Sequence, residues 1–86
     1  MPRISSFYGI VIAMYYREHG EPHFHALYGE YEASIAIASL EVLHGDLPSR
    51  AMRLVKRWAS LHRGELHRDW NLAEQGEVLE SIAPLP

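Results

Sequence analysis

Two histidines spaced at i and i+2 are the residues of this chain whose types and spacing most directly suggest chemistry. They are His23 and His25, which directly follow a Glu-Pro pair. In an extended strand this spacing points both imidazoles to one face, where they can share a proton, a phosphate or a metal ion. The segment predicts a functional site without selecting one reaction.

General acid–base catalysis is the first chemistry that paired imidazoles support, because one ring can donate a proton while the other accepts one. Ionisable groups at positions 62 and 65 fall on the apolar face of a predicted helix, where a buried charge needs a partner. If that helix crosses the strand that carries His23 and His25, its ionisable groups can pair with these two imidazoles. Nearby tyrosines offer a hydroxyl, or a ring on which a base can stack. The candidate catalytic residues are therefore His23, His25, His62, Glu65 and Tyr28.

Metal binding is the second chemistry, with His23, His25 and His62 as the candidate ligands. Imidazoles and carboxylates are ligands that zinc and similar divalent ions take in proteins. The sequence contains no His-Glu-x-x-His motif, and His-x-His alone is common. We therefore expect no cofactor, with a divalent metal ion as the alternative.

Purely structural roles are a third interpretation of these residues. His62 can be a hydrogen-bonded residue at the edge of the core with the carboxylates in water, and tyrosines commonly build sheets. We expect Glu18, His19 and His44 to be surface residues of loops and strand ends, with little functional weight.

A strip of basic residues follows the outer face of the predicted helix, opposite its apolar stripe. Its members are Arg53, Lys56, Arg57, Arg63 and Arg68. Such a strip can meet nucleic-acid phosphates or an acidic partner, although a solvated helix face is the commoner explanation. The net charge of −3 argues against nonspecific binding to nucleic acid.

Length and composition indicate one small folded domain spanning residues 1–86. The chain is 48% hydrophobic and 22% charged, which is typical of a globular protein. Because so short a chain buries only a modest core, we expect association with a partner or with a second copy.

There is no cysteine, so disulfides and thiolate chemistry are excluded. No secretory signal or membrane-spanning run is recognisable, and we expect a cytoplasmic protein without a membrane partner.

The hydrophobic periodicity predicts strands followed by one helix. Strands are expected at about 7–16, 23–28, 31–38 and 40–43, with positions 31, 33, 35 and 37 facing the core. From Pro48 the period becomes helical, which predicts a helix at about 48–75 and an extended tail at 77–86. Gly64 leaves a kink or a two-helix alternative open. The predicted fold is α+β: a three- to four-stranded antiparallel meander packed against one long C-terminal amphipathic helix.

Several motifs together resemble those of a known family. They are Pro-Arg-Ile-Ser-Ser-Phe-Tyr-Gly-Ile-Val-Ile, Glu-Pro-His-Phe-His-Ala-x-Tyr-Gly, Leu-Pro-Ser-Arg, Leu-Val-x-x-Trp-x-x-Leu-His and Ile-x-Pro-Leu. The set resembles the small bacterial family called domain of unknown function 4160, over nearly the whole chain. The matching signature positions are His23, His25, Tyr28, Gly29, Trp58, His62, Glu65 and Trp70.

The resemblance implies a stand-alone bacterial protein, often encoded beside a second small protein in arrangements that look like toxin–antitoxin pairs. We therefore expect the toxin-like component of a two-protein module, acting on RNA through the histidine cluster. The alternatives are a noncatalytic regulatory module that binds a protein, and a small histidine-based metal-binding protein. The expected partner is a small cognate protein, with nucleic acid on the basic strip as a further possibility.

Overall fold

Strands occupy the first half of the chain and helices most of the second. In the computed structural model, which describes residues 2–86, five antiparallel strands form one sheet in the order β1-β2-β3-β4-β5. The strands are β1 (Arg3–Phe7), β2 (Ile10–Ala13), β3 (His23–Tyr28), β4 (Tyr31–Ala36) and β5 (Val42–Gly45). The helices are α1 (Ser49–Leu61) and α2 (Arg63–Glu74). The α+β class and the antiparallel meander are confirmed, but the described residues contain five strands rather than three or four.

The predicted strand at 7–16 is wrong because the chain turns back at Tyr8 and Gly9. Their φ angles are 51° and 78°, the conformation of a tight hairpin turn between twisted strands. Phe7 consequently pairs with Ile10, and β2 ends at Ala13. The uninterrupted apolar run concealed the turn, which Gly9 alone signals.

The last strand begins two residues later than the predicted 40–43. A tight turn precedes it, in which Leu40 N–H donates to Ala36 O at 2.9 Å and Ala36 N–H donates to Glu41 O at 2.9 Å. At its other end Gly45 has a φ of 78°, and a Cβ atom there would overlap the carbonyl oxygen of Glu32. Glycine therefore allows β5 to pack closely against β4.

The single helix predicted at 48–75 is wrong and the two-helix alternative is confirmed, because the helical region is divided at His62. This residue has φ −127° and ψ 25°, which closes α1 and opens α2. The break lies two residues before Gly64, which belongs to the first turn of α2. Beyond this break, Leu66, Trp70 and Ala73 of α2 lie in the core.

The apolar core lies between the helices and one face of the sheet. Trp58 of α1 is fully buried, with its ring centroid 5.4 Å from Phe7 and 6.0 Å from Phe24. The predicted core position at Tyr31 is wrong, since this side chain is 47% exposed, and Leu61 on the helical side is also 63% exposed. Leu61 is the last residue of α1, and Tyr31 begins β4 directly after the hairpin turn.

Residues 77–86 form the predicted extended tail, which crosses the strand and helix layers. Ile82 N–H donates to Ile4 O at 2.7 Å, Trp58 Nε1–H to Ala83 O at 2.8 Å, and the Tyr8 hydroxyl to Pro86 O at 2.7 Å. Ile82 and Leu85 are buried in the core. The tail therefore contributes to the fold.

Asp69 of α2 is a buried carboxylate on the helix side of the molecule. It is 1% exposed, and its Oδ1 accepts the Glu80 N–H of the tail at 2.9 Å. Its Oδ2 is buried without a hydrogen-bond partner. Burial raises the pKa of Asp69 above its ordinary range, and the bond from Glu80 offsets this only in part.

Candidate functional site

One row of side chains crosses the sheet on the face opposite the aromatic core. Ala13 of β2 pairs with His25 of β3, His25 pairs with Ser34 of β4, and Ser34 pairs with His44 of β5. Cross-strand partners share a face, and His23 joins His25 by the two-residue alternation. The structure therefore places both histidines of the motif on one face of one strand, as their spacing predicts.

The loop between β2 and β3 brings a carboxylate to the two imidazoles. Glu18 Oε1 lies 2.6 Å from His25 Nε2 and 3.0 Å from His23 Nε2. The histidine side chains are 11% and 10% exposed, whereas the Glu18 side chain is 30% exposed. We call Glu18, His23 and His25 the triad. Their ligand atoms all lie within 4.8 Å of one another.

The other ring nitrogen of each histidine faces an oxygen. His23 Nδ1 lies 2.7 Å from the backbone carbonyl of Glu21, which can only accept, so this nitrogen is the donor. His25 Nδ1 lies 3.4 Å from Glu32 Oε2. Both rings are thus held from behind, with their Nε2 atoms converging on Glu18.

Aromatic rings hold the imidazoles from both sides. The Tyr15 ring is centred 4.3 Å from His25, His25 is 5.2 Å from His23, and His23 is 5.1 Å from Trp70 of α2. Tyr15, His25, His23 and Trp70 therefore form a continuous row of rings. This packing restricts the orientation of both histidines.

Two groups of the site have shifted pKa values. Burial acts to raise the pKa of Glu18, but the hydrogen bonds and positive charge of His25 and His23 together outweigh burial and lower it below the ordinary value. Burial, and then the charges of Glu32 and Glu18, raise the pKa of Tyr15. These shifts favour an ionised Glu18 and a protonated Tyr15 phenol.

An open cleft of about 600 Å³ gives access to the triad. Its charged lining residues are Glu18, Glu21 and Glu32, and its other polar side chains are Ser34 and the histidines 19, 23, 25 and 44. The lining includes no lysine or arginine among residues 2–86. The cleft therefore favours a cation over a polyanion at its floor.

His62 and Glu65 lie apart from the triad and pair with each other. His62 Nδ1 contacts Glu65 Oε1, and the His62 ring packs against Trp58 at 5.5 Å. Neither belongs to the group of converging ligand atoms that the described residues form. The expectation that His62 lies within reach of the strand histidines is wrong, because its ring packs against Trp58 and its Nδ1 faces Glu65.

Tyr28 and the basic strip also lie away from the triad. Tyr28 is 37% exposed at the end of β3, where its ring lies against Gly9. Arg53, Lys56 and Arg57 remain on α1, while Arg63 donates to Ile37 O at 3.4 Å. Arg68 forms an ion pair with Glu80 of the tail at 3.0 Å. The helix break thus divides the predicted strip between two helices.

Sequence reasoning missed the importance of Glu18, Glu32 and His44. Glu18 lies on a partly exposed loop as expected, but its carboxylate contacts both imidazoles. The usable signal was its position five residues before His23 in a polar loop, which is long enough to fold back over the strand. The position of His44 on the same face as the triad follows only from the strand register, which aligns it with Ser34 and His25.

The model of a family described as a domain of unknown function, DUF4160, matches residues 9–71. This segment is more than half of the chain and contains the triad and Trp70, so the chain belongs to this family. No curated protein and no solved structure shows a significant match. Among residues 2–86, no helix is long and apolar enough to cross a membrane.

Proposed function

We propose that the protein binds a divalent transition-metal ion through Glu18, His23 and His25. The observation that carries this proposal is the convergence of one carboxylate oxygen and two imidazole nitrogens within 4.8 Å of one another. Two nitrogens and one oxygen are ligands suited to zinc, cobalt or nickel, whereas calcium and magnesium prefer oxygen alone.

The spacing of the triad supports an ion at its centre. Ligand atoms about 2.0–2.1 Å from a tetrahedral ion lie about 3.4 Å from each other. The Glu18 oxygen lies 2.6 and 3.0 Å from the two nitrogens, so each of these two contacts must lengthen by less than about 1 Å to reach that geometry. Glu18 is on a partly exposed loop and can make this movement without disturbing the sheet.

The hydrogen bonds behind the rings give further support. Metal-ligating histidines usually donate their second ring N–H to a carbonyl or carboxylate, which orients the ring and fixes its tautomer. The Glu21 carbonyl plays this part for His23 at 2.7 Å, and the Glu32 carboxylate is placed to do so for His25 at 3.4 Å. The triad thus has the outer contacts of a metal site as well as its ligands.

A binding titration tests the proposal. Protein made without a histidine tag and stripped with a chelator is titrated with zinc against a coloured competitor, and one ion per chain is expected. Glu18→Gln should weaken binding at least about tenfold, because even outer contacts of metal sites contribute this much. Glu18 is on the surface loop, so the variant should keep the fold.

His62→Ala is the matched control, because it removes a histidine that lies outside the triad. It should bind zinc like the parent protein. Equal affinity in the parent and Glu18→Gln, or loss of binding in His62→Ala alone, would refute the proposed site.

The second candidate is the toxin-like component of a two-protein bacterial module that works by acid–base chemistry on RNA. It is supported by the two imidazoles that share the Glu18 oxygen beneath an open cleft. The acidic lining makes the cleft less suited to a phosphodiester than to a cation. Expression of the chain alone should slow bacterial growth, and the double variant His23→Ala/His25→Ala should relieve this. Equal toxicity of the double variant would refute the catalytic role.

Protein partners and location remain predictions. A groove beside the tail combines apolar residues Leu54, Leu61 and Leu85 with Arg50 and Arg57. Its charge suits an acidic partner, which supports the noncatalytic protein-binding alternative. Four other expectations also remain predictions. They are a small cognate partner protein, a homo-oligomer, binding of nucleic acid to the basic strip and a cytoplasmic location.

A further inference from the structure

We infer that the metal ion keeps one coordination position open to the cleft, where it takes a small ligand with an anionic donor atom, such as azide or a carboxylate. This inference rests on the proposed metal site. It concerns what the site does beyond holding an ion, since a closed site serves structure and an open one can bind and activate a ligand.

The number of protein ligands is the first argument. Structural zinc sites have four protein ligands, whereas reactive sites have three and complete the shell with water or substrate. Within residues 2–86 the group of converging ligand atoms has three members. An ion bound there therefore needs at least one ligand from outside the protein.

The neighbouring candidates for a fourth protein ligand lie in the wrong places. Glu32 approaches His25 at Nδ1, the nitrogen on the far side of the ring from the triad, so it supports the ring from behind. His44 lies two strands from His25 in the same row, which is about 10 Å at the usual strand spacing. In this structure neither residue belongs to the group of converging ligand atoms.

Access from solvent is the second, independent argument. The triad forms part of the wall of a cleft of about 600 Å³, which falls in the range of small-molecule sites. Ser34 and His44 lie on the same face beyond His25. A small ligand can therefore enter, bind the ion through one donor atom and contact these polar side chains.

Charge limits the ligand to a small one with few negative charges. A divalent ion and the Glu18 carboxylate leave about one positive charge at the triad, and Glu21 and Glu32 add negative charge to the cleft. A monoanion still gains from the ion at short range, whereas a polyanion also meets the acidic lining.

Cobalt substitution tests the inference, because the visible spectrum of Co²⁺ reports its coordination. Protein loaded with one Co²⁺ is titrated with sodium azide, and a saturable change of the visible absorption at one azide per cobalt is expected. Co²⁺ in buffer with the same azide concentrations provides the blank. Acetate, which binds through a carboxylate oxygen, should give a second saturable change.

The outcomes separate this inference from the proposed function. Failure of the chain to bind cobalt or zinc would refute the metal site itself. Cobalt bound at one equivalent, with a four-coordinate spectrum that neither azide nor acetate alters, would leave the metal site standing and refute the open position.

Discussion

The two faces of the sheet bury their side chains by different means. The helix-covered face excludes water with apolar residues, and Trp58, Phe24 and Ile12 are fully buried there. The cleft face buries His23, His25 and Ser34, each less than 10% exposed, beneath a loop and beside an open cleft. The first arrangement is stabilised by the hydrophobic effect, and the second depends on hydrogen bonds and ion pairs.

This difference indicates that the two faces contribute unequally to the stability of the fold and to the candidate site. Apolar burial contributes most of the free energy of folding, so the helix-covered face should determine whether the chain folds. Polar side chains that converge beside a cleft contribute little net stability, since their hydrogen bonds replace those with water. Under the proposed function, their arrangement serves to bind an ion.

The largest expected effect is the loss of stability in Trp58→Ala. The indole packs between Phe7 and Phe24 and donates to Ala83 O, so truncation creates a cavity and leaves an acceptor without its donor. A loss of about 3–5 kcal/mol in the free energy of unfolding is expected, measured by urea denaturation. Trp58→Phe keeps most of the volume and should lose clearly less.

Glu18→Gln provides the comparison on the cleft face. It should change the unfolding free energy far less than Trp58→Ala while it abolishes most of the metal affinity. If Glu18→Gln lowered the free energy of unfolding as much as Trp58→Ala did, the conclusion that the helix-covered face supplies most of the stability would be disproved.

A smaller effect is expected from Asp69→Asn, which changes the buried carboxylate on the helix side. The folded-state pKa of Asp69 is raised, so this group favours the folded state when protonated. Its contribution is complete below the ordinary aspartate pKa and is lost as the pH rises through the raised value. Asparagine cannot ionise, so the variant should gain stability relative to the parent as the pH rises above the ordinary aspartate pKa.

The expected change is about 1 kcal/mol, the usual size for a point substitution. Urea denaturation of both proteins at several pH values measures it, and the other titrating groups cancel in the difference. A difference that does not vary with pH would show that the buried carboxylate carries no penalty. It would also remove the contrast with Glu18, whose pKa is lowered.

The sequence predicts the parts of this fold that depend on local pattern. The strand at 23–28, the common face of its two histidines, the start of the helical region and the extended tail all follow from periodicity and turn residues. The turn at Tyr8 was missed because apolar residues continue through it, and the helix break at His62 was displaced from the expected Gly64.

The candidate site is less predictable because it depends on contacts between distant segments. A carboxylate in a loop can approach the strand only if the loop folds back, and spacing alone does not determine this. For His62 the prediction placed a residue in the site that does not belong to it. A helical wheel assumes one straight helix, and it therefore assigns to one face residues that the helix break separates. The triad required the loop conformation and the sheet register together.

Trp70, at one end of the row of rings, is a fluorophore close to the triad. Its indole lies 5.1 Å from His23, so an ion held by the triad sits close to a natural fluorophore. Copper, cobalt and nickel ions quench indole emission at short range, whereas zinc, with its filled d shell, does not quench in this way. The unlabelled protein should therefore report which kind of ion it holds through its own emission, and Trp70→Phe should remove most of that signal.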